Sequence, residues 1–175
     1  MRSKHAIACS YAIRMGGDSD PQAWSDVVDI NYKGVYYGLR IAIPIMLTQG
    51  SGTIINVSSG AATGALEGWS HYCSTKAAVL SLTRCAHREY GGRGINVVGI
   101  SPGTVATQVQ VTIRESGVNP VSQLPASAHI PPEWVARGIE FLCGAGGSEF
   151  AGGDFSLKAT EGRAKAGLPP LDVAG

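Results

Sequence analysis

Two short β-rich runs constrain the fold of this chain more than any other feature of its sequence. The first covers residues 53–57 and is apolar on both faces apart from Asn56, and the second is "INVVGIS" at 95–101. Strands that are apolar on both faces are typical of parallel sheets, because helices cover both sides of such a sheet. A glycine-containing run, "FAGGDFSLK" at 150–158, is predicted to be the final strand.

Helical patterns alternate with these strands. One helix is predicted to begin at Asp20–Pro21, a typical N-cap and first helical position, and to end near residue 49. Pro44 should kink that helix or loosen its last turn, because proline lacks the backbone donor. Two more helices are predicted at about 70–90 and 131–144. The alternation predicts an α/β fold with a parallel sheet and right-handed crossovers.

The predicted domain covers residues 20–158. It follows an atypical segment at 1–19, whose cationic start has no convincing cleavage site and is not interpreted as a targeting peptide. Residues 159–175 are expected to form a loosely held tail. Residues 104–131 are predicted to be irregular, and they are long enough to form a functional loop or lid.

The composition excludes several classes of protein. Hydrophobic residues make up 44% of the chain, charged residues 15%, and the formal net charge is +1. These values are typical of a globular domain. No basic patch indicates a nucleic-acid partner, and no apolar run is long enough to span a membrane. We expect a cytoplasmic protein.

The cysteines and histidines show no arrangement that would bind a metal. The cysteines form no CxxC pair and are interpreted as reduced, mostly buried thiols. They are Cys9, Cys73, Cys85 and Cys143. The histidines show no nucleophile–base pattern and are interpreted as surface or loop residues. They are His5, His71, His87 and His129.

Three residues that could bind a ligand or take part in a reaction are predicted to meet at one edge of the sheet. Ser59 follows the first strand, Gly103 follows the second, and the helix that contains Tyr72 begins on the same side. Open α/β sheets bind ligands at the carboxyl ends of their strands. We therefore expect these three residues to converge, although they are far apart in the sequence.

Tyr72 and Lys76 are four residues apart, so a helix places them on one face. A phenol with an ordinary pKa near 10 is a poor acid or base at neutral pH, and a nearby ammonium lowers that pKa. A decrease of roughly 3 units takes about 4 kcal/mol. Asn31 interrupts an apolar stripe and is predicted to bind a water or kink its helix. Taken singly, each of these residues has an ordinary structural explanation, and only their order along the chain indicates a catalytic site.

That ordered set resembles the short-chain dehydrogenase/reductase family. The matching stretches are "DINYKGVYYGLR", "GTIINVSS", "YCSTKAAV" and "INVVGISPGTVATQV". The resemblance implies a catalytic tetrad in which Tyr72 protonates the carbonyl and Lys76 also holds the nicotinamide ribose. The implied tetrad is Asn31, Ser59, Tyr72 and Lys76. The implied cofactor-binding residues are Tyr72, Lys76, Pro102, Gly103, Thr104, Val105 and Thr107. The Gly-Trp before Tyr-Cys is similar to the sepiapterin reductase branch.

The sequence departs from the family pattern at its start. The TGxxxGxG turn and the Asn-Asn-Ala-Gly segment of the family have no counterpart. The resemblance therefore implies the second half of a doubly wound, Rossmann-like sheet, in an N-terminally truncated chain that lacks the first βαβ unit. Because the glycine turn would carry the pyrophosphate, binding of NADP or NAD should be impaired. The strand at 53–57 should expose an apolar edge, which residues 1–20, another chain or a larger protein would cover.

Two functions from different classes remain open. The chain is either an NAD(P)-dependent oxidoreductase that interconverts a small-molecule carbonyl and a secondary alcohol, or a non-catalytic module that dimerises. The resemblance implies a homodimer or homotetramer through helices 21–47 and 71–90. A third possibility is a reading frame that begins late.

Overall fold

Three strands form one parallel sheet in the computed structural model, which describes residues 13–171. The strands are β1 (Gly52–Val57), β2 (Ile95–Ser101) and β3 (Asp154–Ser156), in the spatial order β1-β2-β3. Val57 of β1 lies opposite Ile100 of β2. The predicted α/β class with a parallel sheet is confirmed.

Within the described residues, six α-helices accompany the sheet. They are α1 (Pro21–Val28), α2 (Gly34–Gln49), α3 (Ser70–Tyr90), α4 (Gln108–Ser116), α5 (Pro132–Cys143) and α6 (Thr160–Lys165). The carboxylate of Asp20 accepts a hydrogen bond from the backbone N–H of Gln22, as expected of an N-cap. None of these helices is long and apolar enough to cross a membrane.

A π-helical turn at Asp29–Lys33 joins α1 to α2. It contains Asn31, the position where the sequence predicts a distortion of the helix. A π-turn widens the helix by one residue and so changes the direction of the side chains on either side of it. The helix α2 continues through Pro44 to its C-terminal residue, Gln49.

The central strand β2 is buried on both faces. Ile95 and Val97 pack with residues of α2 and α3, whereas Val98 and Ile100 pack with residues of α5 and β3. Successive side chains of a strand point to opposite faces, so one strand contributes to both clusters. Its sequence pattern predicts this burial.

Two segments are more ordered than the sequence predicts. The irregular segment at 104–131 contains α4, which buries Ile113. Its apolar positions alternate along the sequence, which obscures a helical period. The tail expected to be loosely held contains α6, and beyond it Leu168 is buried in the same cluster as Leu157. The final strand is shorter than the predicted run at 150–158 and covers only β3.

The strand β1 has a sheet partner on one side only within the described residues. Its last residue, Val57, is 50% exposed. Asn56 is buried, and its side-chain amide donates to the hydroxyl of Thr83 at 2.9 Å. The apolar edge predicted for this strand is therefore present in residues 13–171. Residues 1–12, which include Cys9 and His5, lie outside the described residues.

Candidate functional site

The carboxyl ends of β1 and β2 open onto one cavity of about 590 Å³. Ser59, Tyr72 and Gly103 all line this cavity. The sequence predicts that these three residues meet, and the parallel order of β1 and β2 brings them together. Neither Asn31 nor Lys76 belongs to the lining.

Ser59 begins a short 3-10 turn after β1. Its backbone is extended, and its Oγ accepts a hydrogen bond from the backbone N–H of Ala61 at 3.1 Å. This bond orients the hydroxyl at the edge of the cavity. The preceding Ser58 is buried behind the strand end and does not line the cavity, so the geometry favours Ser59 over Ser58 as the residue that faces a ligand.

Tyr72 and Lys76 lie one turn apart on α3. The ring of Tyr72 packs edge-on against Trp69, with centroids 5.4 Å apart. Lys76 Nζ lies 5.7 Å from the centroid of the Tyr72 ring and donates to the carbonyl oxygen of Val57 at 2.8 Å. The ammonium is therefore held between the phenol and the end of β1.

Asn31 reaches the same helix through Thr75. The Asn31 side-chain amide donates to Thr75 Oγ1 at 3.3 Å. Thr75 is buried, and its hydroxyl donates to the carbonyl oxygen of His71 at 2.8 Å. The π-turn thus contacts α3 between Tyr72 and Lys76. This contact joins the fourth predicted residue to the site without placing it in the cavity.

The segment after β2 divides into two parts. Pro102, Gly103 and Thr104 line the cavity. Val105 does not line the cavity; it pairs with Ile130 in a short parallel bridge and packs against the cluster that contains Val98 and Ile100. Thr107 is exposed just before α4 and does not line the cavity.

Gly103 leaves its backbone open to a ligand. Its φ is +82°, a conformation that favours glycine, and a Cβ placed there would meet only the Cβ of Lys158, at 3.8 Å. Gly103 and Tyr72 line the same cavity, so its open backbone and the phenol could both contact the nicotinamide end of a dinucleotide.

Sequence reasoning missed two aromatic residues of the site. His71 is 1% exposed and lines the cavity, so its interpretation as a surface or loop residue is wrong. Trp69 is 9% exposed and lies against Tyr72. The Gly-Trp pair just before α3 could have identified Trp69 as a site residue. No local sequence pattern could have identified His71, because other elements of the fold bury it.

A buried polar group behind the strand ends was also missed. Ser101 Oγ donates to Asp154 Oδ2 at 2.5 Å, which joins β2 to β3. Burial raises the pKa of the Asp154 carboxyl, and the neighbouring hydroxyls of Ser101 and Ser58 and the charge of Arg84 oppose that rise. The Ser58 hydroxyl lies close enough to the Asp154 carboxyl to lower its pKa, although the two groups are not aligned for a hydrogen bond.

The described cysteines are free thiols. Cys73 is half-buried, whereas Cys85 and Cys143 are exposed, so the predicted burial is wrong for two of them. Both lie on outward faces of helices. Within residues 13–171, no three of the His, Cys, Asp and Glu side chains are grouped so that they could hold a metal ion.

Comparisons with known proteins agree on one family. A family model described as short chain dehydrogenase matches residues 12–117. The 3-oxoacyl-[acyl-carrier-protein] reductase FabG of Staphylococcus aureus is 36% identical over 122 residues, which cover 69% of this chain and 50% of that protein. The protein of the same name from Staphylococcus epidermidis is 41% identical over 122 residues, with the same coverage. The chain thus spans about half the length of these curated relatives.

Solved structures give the same result. A short chain dehydrogenase/reductase family protein is 31% identical, has a TM-score of 0.72, and is matched over 84% of this chain and 61% of its own. Levodione reductase has a TM-score of 0.74 over 90% of this chain and 63% of its own, and its identity of 24% indicates a shared fold alone. The similarity to the sepiapterin reductase branch stays a prediction.

Proposed function

This chain belongs to the short-chain dehydrogenase family, and from that premise we propose that it acts as an NAD(P)-dependent oxidoreductase with Tyr72 as its acid and base. The reaction interconverts a small-molecule carbonyl and a secondary alcohol. One observation carries the proposal: Ser59 and Tyr72 line one cavity, with Lys76 held one helical turn from the phenol.

In the proposed reduction, the Tyr72 hydroxyl gives its proton to the carbonyl oxygen and takes one back in the reverse reaction. The Ser59 hydroxyl donates a hydrogen bond to the same oxygen as negative charge develops there. The Lys76 ammonium stabilises the phenolate that remains, since it is held 5.7 Å from the centroid of the ring. Asn31 acts on this group through Thr75, whose hydroxyl contacts the backbone of α3.

A nicotinamide cofactor would supply the hydride in the reduction and accept it in the oxidation. Tyr72, Lys76 and the segment from Pro102 to Thr104 are proposed to hold its nicotinamide end. Val105 and Thr107 are proposed from the family pattern, although neither lines the cavity. The cofactor is proposed to be NADP or NAD.

A second function is favoured by an exposed apolar stripe on α2. Tyr37, Ile41 and Ile45 recur at four-residue spacing and are 56%, 66% and 54% exposed. Contiguous exposed apolar residues on a helix are typical of an interface. The alternative proposal is therefore a non-catalytic module that forms a homodimer or homotetramer through α1 to α3.

A cofactor titration separates the two proposals. The purified chain is titrated with NADPH and NADH, and turnover is then measured with a panel of ketones. Saturable binding, with turnover lost in Tyr72→Phe and kept in the matched control Tyr37→Phe, supports the oxidoreductase. Self-association without cofactor binding, weakened by Ile41→Glu, supports the module and contradicts the first proposal.

A further inference from the structure

The polarity and charge of the residues that line the cavity indicate which class of ligand it binds. We propose that the site takes an uncharged, mainly apolar ketone or its alcohol, and that two apolar walls, one containing Trp69 and the other Ile113, select it. This inference rests on the proposed function and names the substrate class of the same site.

The two walls come from separate parts of the chain. The loop after β1 contributes Ala65, Leu66 and Trp69, and the segment from α4 onward contributes Val109, Ile113 and Leu124. Trp69 and Ile113 are 9% and 7% exposed and share one hydrophobic cluster, which is separate from the two clusters of the sheet. Apolar side chains therefore form both sides of the space.

The two walls contact each other directly. Asn119 is buried, and its side-chain amide donates to the carbonyl oxygen of Glu67 at 3.0 Å. Gly68 adopts a φ of +71°, and a Cβ placed there would lie 2.6 Å from Cγ1 of Val118. These close contacts join the segment that follows α4 to the loop that follows β1. The two walls are therefore fixed relative to each other by contacts within the protein.

The charges around the cavity argue against a charged substrate. Among the described residues that line it, none carries a carboxylate. A cationic ligand would therefore lose its water without gaining a partner of opposite charge. Lys158 lines the cavity at an exposed position, where water and salt screen its attraction for an anion. The other hydrogen-bonding side chains of the lining include Ser59, Tyr72 and Gln110.

The inference is tested by the binding of three ketones that share one ring. The probes are 4-tert-butylcyclohexanone, 4-oxocyclohexanecarboxylate and 4-aminocyclohexanone, which are neutral, anionic and cationic at pH 7. Their binding to the purified chain is measured by saturation-transfer NMR and calorimetry, without cofactor. The expected result is that the neutral ketone binds at least tenfold more tightly than both charged ones. Equal or tighter binding of a charged probe, or no binding of any probe at millimolar concentration, overturns the inference.

Two variants locate the binding in this cavity. Ile113→Asp places a carboxylate in the wall and should weaken the neutral ketone at least tenfold, whereas Val111→Asp, at a 46% exposed position of the same helix, should change nothing. Ala65 is exposed at the cavity, so Ala65→Asp tests the same effect where folding is not at risk. It should reduce the preference for the neutral over the cationic ketone at least tenfold. An unchanged preference in Ala65→Asp contradicts the assignment.

Turnover distinguishes a failure of this inference from a failure of the proposed function. If the neutral ketone binds selectively and neither NADPH nor NADH is consumed, the oxidoreductase proposal fails and the ligand class stands. If charged ketones are reduced as efficiently as neutral ones, the ligand class fails and the oxidoreductase proposal stands.

Discussion

The strands β1 and β2 have similar sequences and different environments. Both are short apolar runs that contain one asparagine, yet β2 is paired on both edges and buried at every position except Asn96. In β1 only Asn56 is buried, and Val57 is 50% exposed. An apolar strand pattern therefore indicates what a strand can bury, whereas its neighbours decide what it does bury.

The two strands should differ most in how much stability is lost when an isoleucine is shortened. The variants that compare them are Ile100→Ala in β2 and Ile55→Ala in β1. Ile100 is fully buried, and α5 approaches it so closely that a Cβ on Gly138 would lie 3.1 Å from its Cδ1. Removing it should lower the free energy of unfolding by about 3–4 kcal/mol. Ile55 is half-buried, and the loss there should be about half as large. Urea unfolding of the two variants measures both, and equal losses would show that β1 is covered as well as β2.

The segment beyond β3 should also contribute more stability than the edge of β1. Arg163 is 4% exposed and donates to the carbonyl oxygens of Leu157 and Lys158 at 2.8 Å. Arg163→Ala leaves these acceptors without their donor and should cost about 2–3 kcal/mol. The control is Lys165→Ala, whose surface ion pair with Glu149 is worth less than about 1 kcal/mol. Thermal unfolding compares the two variants, and a cost for Arg163→Ala no larger than that of the control would mean that this segment is loosely held.

The carboxyl of Asp154 should make the β2–β3 side sensitive to pH. Burial raises the pKa of this group above its ordinary value of 3.8. The folded protein then holds the proton more tightly than the unfolded chain does. This contribution to stability is present at low pH and is lost as the pH rises from 3.8 through the raised value.

Asp154→Asn keeps an acceptor for Ser101 but cannot ionise. Over that pH window, the variant should lose less stability than the unmodified protein as the pH rises. The measurement is urea unfolding at a series of pH values, with Asp26→Asn, an exposed carboxyl on α1, as the control. A variant that follows the unmodified protein across the window would show that Asp154 is not the group responsible.

The smallest effect is expected at Val57. Val57→Thr keeps a β-branched residue at a half-exposed position, and the backbone carbonyl that binds Lys76 is unchanged. The free energy of unfolding should change by no more than about 0.5 kcal/mol. Urea unfolding gives the value. A loss above 1 kcal/mol would mean that another part of the protein covers this edge of the sheet.

The sequence predicted the elements of the sheet well because their signals are local. The apolar runs of β1 and β2 and the start of α1 at Asp20–Pro21 need only a few neighbouring residues to be recognised. The helix α4 was missed for a related reason. Its residues Val109, Val111 and Ile113 alternate along the sequence, and only Ile113 is buried.

The sequence by itself determined the order of strands and helices, and from it the meeting of Ser59, Tyr72 and Gly103, because parallel strands present their carboxyl ends on one side. Tertiary structure alone decided the burial of His71 and the pairing of Ser101 with Asp154. Those outcomes depend on contacts between residues far apart in the chain. Local patterns do not encode such contacts, because the free energy of each contact depends on the elements packed around it.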